Sequence, residues 1–155
     1  MRRYPDRPVV SVGAVVIEGQ RVLLVKRGQE PLRGRWSLPG GVVEAGEELH
    51  VAVVREVREE TGLTVQVGDV VEVLDRITRD TDGRIEFHYV IIDYVCGVAG
   101  GSLACASDAD DARWVDRAEL AAYDLTTKVA EAIARAFALS ALASTGSTPE
   151  RPAAR

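Results

Sequence analysis

The chain is poor in the features that mark several common classes of protein. Its two cysteines are too few for a disulfide framework and do not form a CxxC pair. No stretch approaches the roughly 18 apolar residues of a membrane span. Basic residues (19) are outnumbered by acidic ones (24), and a net charge of −5 disfavours a nucleic-acid-coating role. We therefore expect a cytoplasmic protein that binds neither a membrane nor a nucleic-acid polymer.

The residues that are present suffice for one domain. A chain of 155 residues, 46% of them hydrophobic, can build one sizeable core but is too short for two ordinary domains. We expect a flexible N-terminal arm over residues 1–8, a single domain over 9–143 and a disordered, Pro/Ser/Thr-rich tail over 144–155.

Hydrophobic patterning and turn signals indicate mixed secondary structure. Runs of β-branched residues predict strands over residues 9–17, 21–27, 36–38, 63–74, 85–96 and 113–115. Helix-forming composition predicts helices over 47–61, closed by Gly62, and over 126–142. Residues 97–111 look like a flexible loop. Strands on both sides of one helix, with a second helix at the end, predict an α/β sandwich around a mixed sheet.

The first predicted helix carries three carboxylates on one side. At about 100° per residue, Glu56, Glu59 and Glu60 fall within roughly a third of a turn of one another. Two carboxylates about 5 Å apart repel by roughly 3 kcal/mol at an effective dielectric near 20. A divalent cation offsets this repulsion, and Mg²⁺ is the usual choice where phosphate is a co-ligand. A solvated acidic face paired with arginines is the alternative interpretation.

The surrounding residues favour the cation. Residues 41–63, GVVEAGEELHVAVVREVREETGL, match every defined position of the signature Gx5Ex7REUxEExGU, where U is a bulky aliphatic residue. On these nine positions the chain resembles the Nudix hydrolases, and the resemblance extends weakly over 9–142. It implies an α/β/α sandwich with a central mixed sheet. It also implies hydrolysis of a nucleoside diphosphate linked to another group, with Mg²⁺ as the cofactor and Mn²⁺ as its substitute.

The resemblance implies a set of metal ligands. Glu56 and Glu60 would bind the ion directly, and Glu59 would be a further ligand or would hold water beside it. The backbone carbonyl of Gly40 would complete the shell. The general base differs among relatives, so Glu56 and Asp111, an acid in a later loop, are both candidates, and Asp111 would then join the metal or the water.

Other charged residues have positioning or binding roles. Arg55 and Glu47 resemble the pair that orients the loop and helix, provided that Glu47 lies in the bend before the helix and folds back. Three arginines flank the loop before the signature and are candidates for binding substrate phosphates. They are Arg27, Arg33 and Arg35. Solvated surface arginines are the alternative.

The overall pattern also bears on the substrate class. The overall pattern resembles small single-domain bacterial ADP-ribose pyrophosphatases, but the chain lacks the proline that this group carries near 77–79. Our first expectation is ADP-ribose or a related nucleoside diphosphate sugar. A nucleoside triphosphate, including oxidised nucleotides, is the second, and a catalytically silent nucleotide-binding sensor is an alternative of another class. Many relatives are homodimers, so a homodimer is compatible with the resemblance.

Overall fold

A mixed sheet forms the centre of the protein in the computed structural model, which describes residues 2–104 and 109–145. Its seven strands in this part of the chain are β1 (Val9–Glu18), β2 (Arg21–Arg27), β3 (Trp36–Ser37), β4 (Gly40–Val42), β5 (Leu63–Arg79), β6 (Ile85–Gly101) and β7 (Ala109–Asp116). Two α-helices and a short 3-10 helix accompany them. They are α1 (Leu49–Thr61), the 3-10 helix Arg117–Tyr123 and α2 (Thr127–Thr145).

The sheet is mixed because one of its pairings is parallel. Its main path runs β3-β2-β1-β6-β5, with β4 added beside β1 and β7 beside β2. β1 and β6 run parallel, from Val9 opposite Tyr89 to Val16 opposite Cys96. The other pairs are antiparallel. The predicted mixed sheet is therefore confirmed.

The two helices cover opposite faces of this sheet. Alternate residues of a strand point to opposite faces, so Val12, Ala14 and Val16 of β1 lie on one side and Val15 on the other. The first side packs against α1 in a core that also contains Leu23, Ala52, Val53, Val57, Leu63, Val65, Tyr94 and Cys96. The second side packs against α2 in a core that also contains Val22, Leu24, Leu38, Val71, Val115, Val129, Ala132, Ile133, Ala136 and Phe137. The result is the α/β sandwich that the patterning predicts, in the α/β/α arrangement that the resemblance implies.

The helix α1 ends where the sequence predicts and begins two residues later. Gly62 adopts the left-handed conformation (φ 77°), and its N–H donates to the Arg58 carbonyl, which closes the last turn. The predicted start at Glu47 is wrong, because Glu48, at the N-cap position, has extended backbone angles and the helix begins at Leu49. Glu47 therefore lies in the bend before α1, as its proposed contact with the helix requires.

The last third of the chain differs most from the prediction. β5 and β6 each have 17 residues, and β6 continues to Gly101. The predicted loop over 97–111 is wrong at both ends, because Gly97 and Gly100 pair with Gln66 and Thr64 of β5, and β7 already begins at Ala109. Residues 105–108 lie outside the described part. So do 146–155, which make up most of the predicted tail.

The start of the chain contacts the turn between β5 and β6. The N–H of Tyr4 donates to the Glu86 carbonyl at 2.8 Å, and its hydroxyl donates to Asp80 at 2.9 Å. The guanidinium of Arg84 lies 4.6 Å from the centre of the same ring.

In the described part of the chain, no helix has the length and apolar character needed to cross a membrane.

Candidate functional site

Two carboxyl groups of α1 meet at a cleft of about 500 Å³. Glu56 and Glu60 lie one helical turn apart, both are largely buried, and their carboxyl groups are hydrogen-bonded to each other. Burial, followed by the charge of Glu56, raises the pKa of Glu60 to about 8. Burial also raises the pKa of Glu56, although Arg55 opposes the change. The pair therefore holds a proton at neutral pH when no cation is present.

Glycines bring the backbone against this pair. The N–H of Gly40 lies 3.4 Å from Oε1 of Glu60. A Cβ at Gly41 would overlap the carboxylate of Glu56, and a Cβ at Gly40 would overlap the backbone of Val12. Only glycine permits this approach. Two hard oxygen donors beside a closely placed backbone fit a divalent cation, which would replace the shared proton.

Arg55 holds the loop before α1 against the helix. Its Nε and one terminal nitrogen donate to the two oxygens of Glu47 at 2.7 and 2.8 Å, and that nitrogen also donates to the Val42 carbonyl at 3.1 Å. The hydrogen bonds from Arg55 lower the pKa of Glu47 to about 2. The other terminal nitrogen donates to Glu56 at 2.8 Å and to Glu59 at 3.3 Å.

Glu59 is less enclosed than the other two acids. Its side chain is 50% exposed, lines the cleft and lies beside Arg55. Across residues 2–104 and 109–145, no three acidic, histidine or cysteine side chains are arranged as a ready-made cation site. The structure thus brings Glu56 and Glu60 together, with Glu59 turned towards Arg55.

Of the three predicted phosphate-binding arginines, one reaches the cleft. Arg27 lines it, donates to the Pro31 carbonyl at 2.7 Å, and lies close enough to Glu60 for its charge to oppose the rise in the pKa of that carboxyl. Arg35 donates instead to the Asp124 carbonyl at 3.2 Å. Arg33 is exposed and does not line the cleft.

Asp111 lies in a strand rather than in the predicted loop. It stands opposite Lys26 in the pairing of β7 with β2. One carboxylate oxygen accepts the Ala112 N–H at 2.9 Å, and the other lies 3.0 Å from a guanidinium nitrogen of Arg113. It is not among the residues that line the cleft.

The cleft also contains charged residues that the sequence reasoning did not select. Arg76 of β5, Asp93 of β6 and Lys128 of α2 line it. Asp93 is 5% exposed, in the otherwise apolar run FHYVIIDYV. A buried carboxyl group in such a run is a usable signal, because charged side chains are almost never fully buried unless they are paired or functional.

Comparison with known proteins gives consistent matches. The family model described as NUDIX domain matches residues 7–137. An ADP-ribose pyrophosphatase of Methanocaldococcus jannaschii is 38% identical over 109 residues, which are 70% of this chain and 62% of that protein. The nucleoside triphosphatase NudI of Salmonella paratyphi B is 35% identical over 106 residues, covering 65% of this chain and 75% of NudI.

A solved structure agrees with the fold. A MutT NUDIX hydrolase from Burkholderia pseudomallei aligns with a TM-score of 0.72 at 28% identity, covering 84% of this chain and 98% of that one. The resemblance read from residues 41–63 is thereby confirmed. The chain spans less than two thirds of the archaeal relative's length.

Proposed function

This chain belongs to the Nudix family, and we propose that it is a magnesium-dependent hydrolase that cleaves the diphosphate bond of a nucleoside diphosphate derivative. Nudix hydrolases generally use a divalent metal ion and act on small nucleotides. The observation that carries the proposal is the buried pair of Glu56 and Glu60 beside Gly40 and Gly41. Burying two neighbouring carboxylates costs free energy when no cation is bound, whereas a divalent cation can use both as oxygen ligands.

Within this proposal, Glu56 and Glu60 would hold the ion, with the Gly40 carbonyl and Glu59 as further ligands. When bound, the ion would supply positive charge against the diphosphate and would lower the pKa of a water molecule. Arg55 keeps the loop and helix in register through Glu47, so that the two ligand-bearing elements do not separate.

The chain's own residues have separate tasks in the reaction. Arg27 lines the cleft near Glu60 and would donate to phosphate oxygens. Water oxygen bonds to one phosphorus, the bridging oxygen leaves with the other phosphate, and a carboxylate takes the water's proton. We assign the role of proton acceptor to Glu56, because Glu56 lines the cleft. Asp111 does not line it and instead contacts the Ala112 N–H and the Arg113 guanidinium.

ADP-ribose or another nucleoside diphosphate sugar is our preferred substrate. The archaeal relative is an ADP-ribose pyrophosphatase, and the cleft continues from the acidic pair over a sheet surface with further polar side chains. A nucleoside triphosphate is the second candidate, favoured by the similarity to NudI. A silent nucleotide sensor is disfavoured because every position of the signature is intact.

A turnover screen tests the proposal. ADP-ribose, nucleotide sugars, dinucleoside polyphosphates and nucleoside triphosphates are incubated with Mg²⁺, or with Mn²⁺, and the released nucleoside monophosphate is measured. Glu56→Gln and Glu60→Gln are expected to lose on the order of 100-fold or more in kcat. Glu48→Gln is the matched control, since Glu48 is an exposed acid at the start of the same helix. Full activity in both cleft variants would refute the assignment, and binding without turnover of any substrate would favour the sensor.

A further inference from the structure

Part of the cleft wall is formed by the sheet, on its α2 side. In the antiparallel register of β5 and β6, Arg76 stands opposite Tyr89 and Glu72 stands opposite Asp93. Alternate residues share a face, so these four side chains lie on one side of the sheet. Arg76, Tyr89 and Asp93 line the cleft that also contains Glu56 and Glu60. Groups carried by the sheet therefore face the same space as the acids of α1.

Asp93 is buried in this wall, with 5% of its surface exposed, and its side chain lines the cleft. Its carboxyl group lies over Gly13 of the neighbouring strand, where any side chain would overlap it. Burial, followed by the nearby charge of Glu72, raises its pKa to about 6, while Arg76 opposes the change. The carboxyl group of Asp93 accepts hydrogen bonds, and a ligand in the cleft that carries hydroxyl groups would supply the donors.

Arg76 is a half-buried cation, with no hydrogen bond or ion pair within 4 Å in the described part of the chain. Burial lowers its pKa, and the charge of Arg27 lowers it further. Both guanidinium groups line the cleft, and no carboxylate of residues 2–104 or 109–145 lies in salt-bridge contact with either. An anion placed between them would relieve their mutual repulsion.

The charged groups of the cleft act on one another. The charge of Arg27 acts on Glu60 and on Arg76, and the charge of Arg76 acts on Asp93. All of these residues line the cleft, which therefore contains an acidic pair, two arginines and a further carboxyl group.

We propose that Arg76 and Asp93 form a specificity subsite, in which Arg76 and Arg27 bind diphosphate oxygens and Asp93 accepts hydrogen bonds from hydroxyl groups of a sugar attached to the diphosphate. This inference rests on the proposed hydrolase function and narrows its substrate class to nucleoside diphosphate sugars. A nucleoside triphosphate would bring its extra negative charge towards Asp93 and Glu72 instead of hydroxyl donors.

The test compares two substrates in two variants. For Asp93→Asn and Arg76→Gln, KM and kcat are measured with ADP-ribose and with ATP in Mg²⁺. Asparagine keeps the size of the side chain but loses one acceptor and the charge. We expect Asp93→Asn to raise the KM for ADP-ribose at least ~10-fold, with kcat changed less than about threefold and the KM for ATP unchanged or lower. Arg76→Gln raises KM for both substrates, because both carry phosphates.

Matched controls come from β5, the strand that carries Arg76 and pairs with the strand of Asp93. Asp75→Asn and Arg79→Gln alter exposed side chains of β5 next to or near the subsite and are expected to change neither constant. Equal KM changes for ADP-ribose and ATP in Asp93→Asn would overturn the sugar assignment. If Asp93→Asn does not fold, Arg76→Gln decides, and an unchanged KM in that variant would overturn the subsite.

A binding measurement distinguishes a failure of the subsite from a failure of the proposed hydrolase function. Calorimetry with ADP-ribose in Ca²⁺ measures affinity without requiring turnover. If the unaltered protein hydrolyses none of the substrates, the proposed function fails, yet weaker ADP-ribose binding in Asp93→Asn would still support the subsite. If the unaltered protein is active but Asp93→Asn binds ADP-ribose as tightly, the subsite alone fails.

Discussion

Replacing Glu60 with glutamine is expected to stabilise the metal-free protein at pH 8 while removing its activity. The pKa of Glu60 is about 8 in the folded chain, against an ordinary value of 4.5. A carboxyl group whose pKa is raised by folding costs no stability below pH 4.5, an increasing amount as the pH rises, and the full amount above pH 8. Glutamine carries no charge at any pH and removes that cost.

The size of the effect follows from the same pKa values. The difference between the pKa of about 8 and the ordinary 4.5 lowers the free energy of unfolding by roughly 5 kcal/mol at most, at about 1.4 kcal/mol per pKa unit. Because local rearrangement recovers part of this cost, we expect glutamine to raise the free energy of unfolding by at least about 2 kcal/mol at pH 8. For a chain of this size, that is a rise of roughly 4–8 °C in melting temperature. At pH 4.5 the two proteins should melt together.

The assay is thermal unfolding followed by circular dichroism in chelator, at pH 4.5, 6 and 8. Mg²⁺ should then stabilise the unaltered protein at pH 8 more than Glu60→Gln, because a ligand that binds the folded state raises its stability. Glu48→Gln should follow the unaltered protein throughout. The melting temperature of Glu60→Gln should exceed that of the unaltered protein by more at pH 8 than at pH 4.5. An excess that is the same at both pH values would refute the reasoning.

Three further predictions concern the same site. Gly41→Ala should lower kcat on the order of 100-fold with little change in melting temperature, because the new Cβ displaces only the flexible end of Glu56; Gly100→Ala, where a Cβ meets nothing, should keep full activity. Arg55→Lys should lower kcat on the order of 10-fold, measured at saturating substrate, because lysine cannot hold both oxygens of Glu47. Chelation of divalent ions should abolish turnover, and Mg²⁺ should restore it; turnover that persists in chelator would contradict the metal's role.

Much of the fold could be predicted because local signals agree with the tertiary structure. The hairpin of β1 and β2 is encoded by two β-branched runs around Gly19, and the end of α1 is encoded by Gly62. The extension of β6 could not be predicted locally. Gly97, Gly100 and Gly101 have weak strand propensity, and only their pairing with β5 makes them part of the sheet.

The residues of the candidate site also fall into those that local sequence predicts and those that depend on tertiary contacts. Glu56 and Glu60 are neighbours on one helix, so their spacing alone predicts that they meet. Arg76 and Asp93 lie on different strands, and their approach depends on a register that no local pattern specifies. Arg35 flanks the loop before the signature in the sequence, but in the structure it donates to the carbonyl of Asp124, 89 residues along the chain. A distant contact therefore decides its position.

The most direct test of the metal-binding carboxyl pair is a titration with Mn²⁺ followed by electron paramagnetic resonance. The unaltered protein and Glu48→Gln should bind the ion with equal affinity, and Glu56→Gln and Glu60→Gln should each bind it at least ~10-fold more weakly. Equal affinity in all four proteins would place the ion elsewhere and contradict the account.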